Sequence, residues 1–241
     1  MSSILQVEGG HPLRGEITVR GAKNFVPKAM VASLLADTPS ELYNVPLIRD
    51  TDVVSDLLSL HGVQINFDQD RGTLRMDPSN VKIASRSDID TLAGASRIPI
   101  LFCGPLLHQL GEAFIPELGG CAIGGRPIDF HLETLRNFGA IVDKQPDGVH
   151  IKRPATGLHG AIIELPFPSV GATEQTLLTA VRNEGITTLK GAAIEPEILD
   201  LINVLQKMGA IISVDTDRTI RIEGVAKLNG YRHTALPDRI E

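Results

Sequence analysis

The sequence has no tryptophan, two tyrosines and only 4% aromatic residues in 241. With 42% hydrophobic and 22% charged residues the composition is otherwise that of an ordinary globular protein, which excludes a disordered or collagen-like chain. Cysteine is almost as rare. Cys103 and Cys121 are the two present, a number and spacing that exclude a disulfide framework and fit a reducing, cytoplasmic setting. An excess of positive charge is missing too, since 23 Lys plus Arg stand against 29 Asp plus Glu for a net charge of −6. A generally basic nucleic-acid binder does not carry that balance, although a local cationic pocket remains compatible with it. Long apolar runs are also lacking. The longest, Ile98 to Leu107, contains Pro99, Gly104 and Pro105 and is too short to span a bilayer. No basic segment followed by an apolar one opens the chain, so no signal peptide is expected. The reading is a cytoplasmic protein with neither a nucleic-acid nor a membrane partner.

Standard cofactor signatures are absent as well. No Gly-x-Gly-x-x-Gly follows a strand pattern, no Gly-Lys-Ser/Thr loop occurs, and the seven histidines are dispersed. Neither a metal nor another cofactor is expected.

What the chain does have is a threefold repeat. Apolar residues at helical spacing run into Gly62, Gly139 and Gly209, and each glycine is followed by a short Val/Ile-rich stretch. Leu58, Leu135 and Leu205 stand four residues before these glycines, and His61, Phe138 and Met208 one before. That pattern predicts a helix, its glycine stop and a strand. Turn sequences at Asp70-Arg-Gly72, Pro146-Asp-Gly148 and Asp215-Thr-Asp-Arg218 then predict a hairpin in each unit. Upstream, Gly21-Ala22-Lys23, Gly94-Ala95-Ser96 and Gly171-Ala172-Thr173 each open a helix-like stretch with paired leucines. The expected unit order is strand, helix, strand, helix, hairpin. One such unit cannot bury its own apolar face, so three should share a core as one pseudo-threefold α/β domain.

Chemistry concentrates at three places. Gly119-Gly-Cys121-Ala-Ile-Gly-Gly125 sets a thiol among glycines and exposed amides, with Arg126 close by to favour the thiolate. An incidental free thiol is the alternative, whereas Cys103, in the apolar run, reads as structural. Arg126-Pro127-Ile128-Asp129-Phe130-His131 follows, with Pro127 suited to a helix start. A helix N-terminus beside a guanidinium can receive phosphate or carboxylate. The plainer reading makes Arg126 a surface charge and Asp129 a cap. Lys23, next to Asn24, and Arg97 occupy equivalent places in the first two units, where a cation opposes the helix dipole unless an anion compensates. Glu174 stands there in the third.

At these residues the chain resembles the enolpyruvyl transferases, in particular those that act on a nucleotide sugar. The resemblance runs from Gly9-Gly10 to Glu241. It rests on Gly21-Ala-Lys-Asn24, Asn44-Val-Pro46, Gly104-Pro-Leu-Leu107, Gly119-Gly-Cys121-x-Ile-Gly-x-Arg-Pro-x-Asp129-x-His131, Ser169-Val-Gly-Ala-Thr173, Glu195-Pro-Glu197 and Leu236-Pro-Asp-Arg-Ile-Glu241. Such proteins often carry lysine two residues before the serine, where this chain has Phe167. The implied fold is an inside-out α/β barrel of three βαβαββ units, with repeats at about 21–93, 94–170 and 171–235. Residues 1–20 would be the first strand of a partner domain, and 236–241 the start of the crossing back to it. The implied reaction moves the enolpyruvyl group of phosphoenolpyruvate to the 3-hydroxyl of UDP-N-acetylglucosamine and releases phosphate, a first committed step toward peptidoglycan. Cys121 would be the catalytic acid. Lys23, Asn24 and Arg126 would hold phosphoenolpyruvate. Arg97, Arg126, Pro127, Ile128, Asp129, Phe130, Ser169 and Val170 would hold the nucleotide sugar. Without a second domain the chain alone is expected to be inactive. A transferase acting on another nucleotide in specialised metabolism, and a non-catalytic nucleotide-sugar binding domain, are the alternatives.

Overall fold

A computed structural model describes residues 4, 6–12, 14–93, 97–116 and 128–240. Seven helices and eleven strands occur among them. The helices are α1 (Val26–Ala32), α2 (Arg49–Leu60), α3 (Arg86–Ala93), α4 (Cys103–Gln109), α5 (Asp129–Asn137), α6 (Val170–Ala180) and α7 (Pro196–Met208). The strands are β1 (Ser40–Tyr43), β2 (Gln64–Asp68), β3 (Thr73–Asp77), β4 (Glu112–Ile115), β5 (Ile141–Gln145), β6 (Gly148–Lys152), β7 (Ile162–Glu164), β8 (Ile186–Lys190), β9 (Ile211–Val214), β10 (Ile220–Glu223) and β11 (Arg232–Thr234).

Three helical segments fill the middle. α1 continues into a 3₁₀ turn at Ser33–Leu35, and α4, led by one at Ile98–Phe102, packs with that turn and with α6. Their leucine pairs, Leu34-Leu35, Leu106-Leu107 and Leu177-Leu178, are all buried. α6 buries every residue from Ala172 to Ala180, so it is a core helix rather than an amphipathic one. α2, α5 and α7 pack around this centre, and the sheets lie outside them. Leu58, Leu135 and Leu205 are fully buried.

The three hairpins β2–β3, β5–β6 and β9–β10 are antiparallel, as the turn sequences predict. Gly62, Gly139 and Gly209 take φ of 85°, 90° and 107°, the left-handed stop of α2, α5 and α7. The residue before each glycine offers its carbonyl to an amide twenty-one positions downstream: His61 to Lys82, Phe138 to His159, and Met208 to Asn229. Three residues further on, β7 and β11 begin, and they run parallel to β8 and β1.

Sheet membership does not follow the helix-opening glycines. β7 precedes Gly171 yet belongs to the third sheet, ordered β7-β8-β10-β9, while β11, late in the chain, completes the first sheet, ordered β11-β1-β3-β2. The second sheet, β4-β6-β5, has three strands among the described residues. Here the expected order of elements fails. The position that the other two units give to a strand, Ser85 to Ser87, enters α3 instead. The reason is local. Ser85 caps the helix, its Oγ accepting the Asp88 amide at 3.3 Å and its carbonyl the Ile89 amide at 3.2 Å.

The described residues before Gly21 carry no helix or strand, and Ile4, Val7 and Ile17 are largely exposed. Among the described residues no helix is long and apolar enough to cross a membrane.

Candidate functional site

The first turns of α1, α2, α5, α6 and α7 share one end of the domain, and polar contacts tie them together there. Lys23 lies in the turn before α1. Its amide donates to Asp238 Oδ2 at 2.9 Å, and its ammonium sits 3.2 Å from Asp50 Oδ2 in the first turn of α2. The cost of a cation at this helix start is therefore offset by Asp50, an anion within the chain. Most of the Lys23 side chain still faces solvent. Lys23, Asn24, Ile48, Asp238 and Ile240 line an open cleft of about 380 Å³.

Below this turn the Lys28 ammonium donates to the Asn24 carbonyl at 2.9 Å and lies 3.5 Å from Oε1 of Glu174, one turn into α6. Burial pushes the Glu174 carboxyl above its ordinary range. Lys28 opposes that shift, and the nearby Glu195 adds to it. Oε2 of Glu195, at the start of α7, is buried without a hydrogen-bond partner. Glu197, in the first turn of α7, receives Arg239 Nε at 2.9 Å.

The other side of the site is built on α5 and α6, which pack together. Ile128 precedes α5 and Asp129 is its first residue. Asp129 is not the cap; its carboxylate takes Lys144 Nζ at 3.3 Å. Phe130 meets Phe167 edge-on, with ring centroids 5.3 Å apart. Ser169 caps α6, accepting the Ala172 amide at 3.3 Å, and Val170 beside it is partly exposed. His131 Nδ1 lies 3.4 Å from Gln175 Oε1, and burial holds its pKa down to about 4, with Arg97 adding to the depression. Arg97 is therefore within electrostatic reach of the first turn of α5.

The structure thus collects Arg97, Ile128, Asp129, Phe130, Ser169 and Val170 around the joint of α5 and α6. Lys23 and Asn24 are linked to that joint through Lys28 and Glu174. Cys121, Arg126 and Pro127 lie outside the described residues, as do Gly94-Ala95-Ser96. Asp50, Asp238, Lys28 and the His131–Gln175 contact were not singled out from the sequence. Their signal was faint: Lys28 is the lone charge in α1, and Glu174 the lone charge in α6. A second cavity, of about 390 Å³, sits at the far end beside His61, α3 and β4. The site is assigned to the first end because the sequence motifs and the helix N-termini coincide there. Among the described residues no His/Cys/Asp/Glu cluster could hold a metal ion.

The family model for EPSP synthase (3-phosphoshikimate 1-carboxyvinyltransferase) matches residues 7–241. The chain belongs to the enolpyruvyl transferase family. A UDP-N-acetylglucosamine 1-carboxyvinyltransferase of Protochlamydia amoebophila is 43% identical over 242 residues, which is 99% of this chain and 52% of that protein. One from Acidiphilium cryptum is 45% identical over 238 residues, 98% of this chain and 56% of that protein. The chain spans about half the length of the curated relatives it matches. The crystal structure of the enolpyruvyl transferase NikO from Streptomyces tendae superposes with a TM-score of 0.82 at 24% identity, covering 95% of this chain and 53% of that one. EPSP synthase from Acinetobacter baumannii gives 0.75 at 18%, covering 92% and 50%. At such identities the two structures establish the enolpyruvyl transferase fold alone.

Proposed function

We propose that this chain supplies the cysteine-loop half of a transferase that moves the enolpyruvyl group of phosphoenolpyruvate to the 3-hydroxyl of UDP-N-acetylglucosamine, a step toward peptidoglycan. The observation that carries this reading is identity above 40%, over essentially the whole chain, to proteins named for that reaction. The site geometry supports it, because helix N-termini and the exposed Lys23 suit a ligand with several negative charges.

In the proposed chemistry the sugar oxygen bonds to C2 of phosphoenolpyruvate while C3 gains a proton. The hydroxyl proton passes to a base, which the described residues do not identify. The C2–O bond to phosphate then breaks and C3 loses a proton, leaving the enolpyruvyl ether and free phosphate. Cys121 would deliver the proton to C3. Lys23, Asn24 and Arg126 would hold the phosphate and carboxylate and stabilise charge as it shifts between them. Arg97 would meet the diphosphate, while Pro127, Ile128, Asp129, Phe130, Ser169 and Val170 would line the nucleotide.

The test is phosphate release with both substrates, comparing this chain with a version continued to the relatives' full length. The longer version is expected to turn over. The 241-residue chain should be slower by at least roughly 10²–10⁴-fold, the worth of one positioned acid or base. Replacing Cys121 with alanine should remove turnover from the longer version. Activity unaffected by that change would reject the role given to Cys121, and turnover on neither substrate would reject the reading as a whole.

A further inference from the structure

α6 is the hub of the site. Within two turns it reaches three neighbours: Thr173 Oγ1 accepts the Ala193 amide at 3.0 Å, Glu174 meets Lys28 of α1, and Gln175 meets His131 of α5. The Glu174–Lys28 contact is unlike the other two because it places opposite charges in the core. The Glu174 and Lys28 side chains are 5% and 12% exposed, and the rest of α1 is apolar. A buried ion pair is a weak source of stability, and apolar residues of similar volume often serve a core as well or better. Its retention here needs another explanation, and its placement supplies one. The ammonium ends on the Asn24 carbonyl, next to Lys23, while the carboxylate stands one turn below Ser169 and Val170. The pair therefore spans the gap between the proposed phosphoenolpyruvate turn and the proposed nucleotide-sugar turn.

We propose that Lys28 and Glu174 are positioning residues that couple the two subsites, so that a ligand at one alters affinity at the other. The inference rests on the substrate assignment above. When the Lys23–Asn24 turn closes on an anion, the Asn24 carbonyl moves with it and carries the Lys28 ammonium. Glu174 follows, and α6 transmits the shift to its own N-terminal turn. Reciprocity requires the same coupling in the other direction.

The experiment is calorimetric and nuclear-magnetic-resonance titration of the 241-residue chain with phosphoenolpyruvate, without and with saturating UDP-N-acetylglucosamine. In the parent chain the nucleotide sugar should change phosphoenolpyruvate affinity about tenfold, in the ordinary range of coupling between sites. Lys28→Met should abolish that change and disturb the Lys23 and Asn24 amide signals. Lys28→Arg keeps both the charge and the donor and should retain the coupling. Glu174→Gln keeps an acceptor but loses the charge and should fall between. If Lys28→Met does not fold, the Lys28→Arg and Glu174→Gln titrations decide the matter. Folded variants with lowered melting temperature but unchanged coupling would make the pair structural and overturn the inference. A parent chain that binds both compounds without any coupling would overturn it equally. If neither the parent chain nor the version continued to the relatives' full length binds either compound, the substrate assignment is rejected, and the coupling with it.

Discussion

Two half-buried histidines give the domain a pH dependence that single residues explain. His131, between α5 and α6, and His108, whose Nε2 meets the Thr179 carbonyl at 2.8 Å, both have pKa values lowered by burial to about 4. In the unfolded chain each would titrate near 6.5. Above that value both states are neutral and the stability is complete. Between 6.5 and about 4 the unfolded state takes up protons that the folded state refuses, so stability falls as pH falls. The loss approaches about 3 kcal/mol for each histidine at the low end. Urea midpoints measured across this window should drop with pH, and His108→Gln should flatten the curve; a flat profile in the parent would contradict the burial. Parts of the site were legible at this same scale. Lys23 and Cys121 announce themselves because reactive side chains stand among glycines. Lys28 and Glu174 do not, since nothing local pairs residues 146 apart in sequence.

Among the elements, α4 and α6 meet at a close joint. A Cβ on Gly104 would fall 2.2 Å from Thr179 Oγ1, and that hydroxyl already donates to the Gln175 carbonyl at 2.8 Å. Gly104→Ala must therefore push the two central helices apart. A loss of about 1–3 kcal/mol is expected from such overpacking, visible as a lower thermal midpoint. An unchanged midpoint would show that the joint has slack. The helices, their glycine stops and the hairpins could all be read from the sequence because each is coded locally, by apolar spacing and turn residues. Two features could not. β11 joins the first sheet from the far end of the chain, a pairing that no local pattern encodes. Ser85 and Asp88 supply a helix cap at the position where the chain elsewhere begins β7 and β11.

For the molecule as a whole, β11 is what closes the ring of units. It pairs in parallel with β1 at Glu41↔Arg232, Leu42↔His233 and Tyr43↔Thr234, and the preceding Tyr231 buries its hydroxyl on the Ala29 carbonyl at 2.6 Å. A chain ending at Gly224 loses these bonds, each worth roughly 0.5–1.5 kcal/mol, along with the apolar cover of α1. Such a truncation should unfold at much lower urea and without a single sharp transition. Full stability in the shortened chain would mean that the first sheet stands without its fourth strand.

The same closure brings the two ends of the domain side by side. The Asp238 amide donates to the Arg20 carbonyl at 2.9 Å, and Gly21 bridges Pro237 in antiparallel fashion, while the buried core begins only at Ala22 and ends at Ala235. Two adjacent segments of chain outside the packed interior are held to each other by backbone bonds rather than by burial. Lys23 and Asp238 stand at that crossing, so a change of angle between the two segments would be felt first in the cleft that they line.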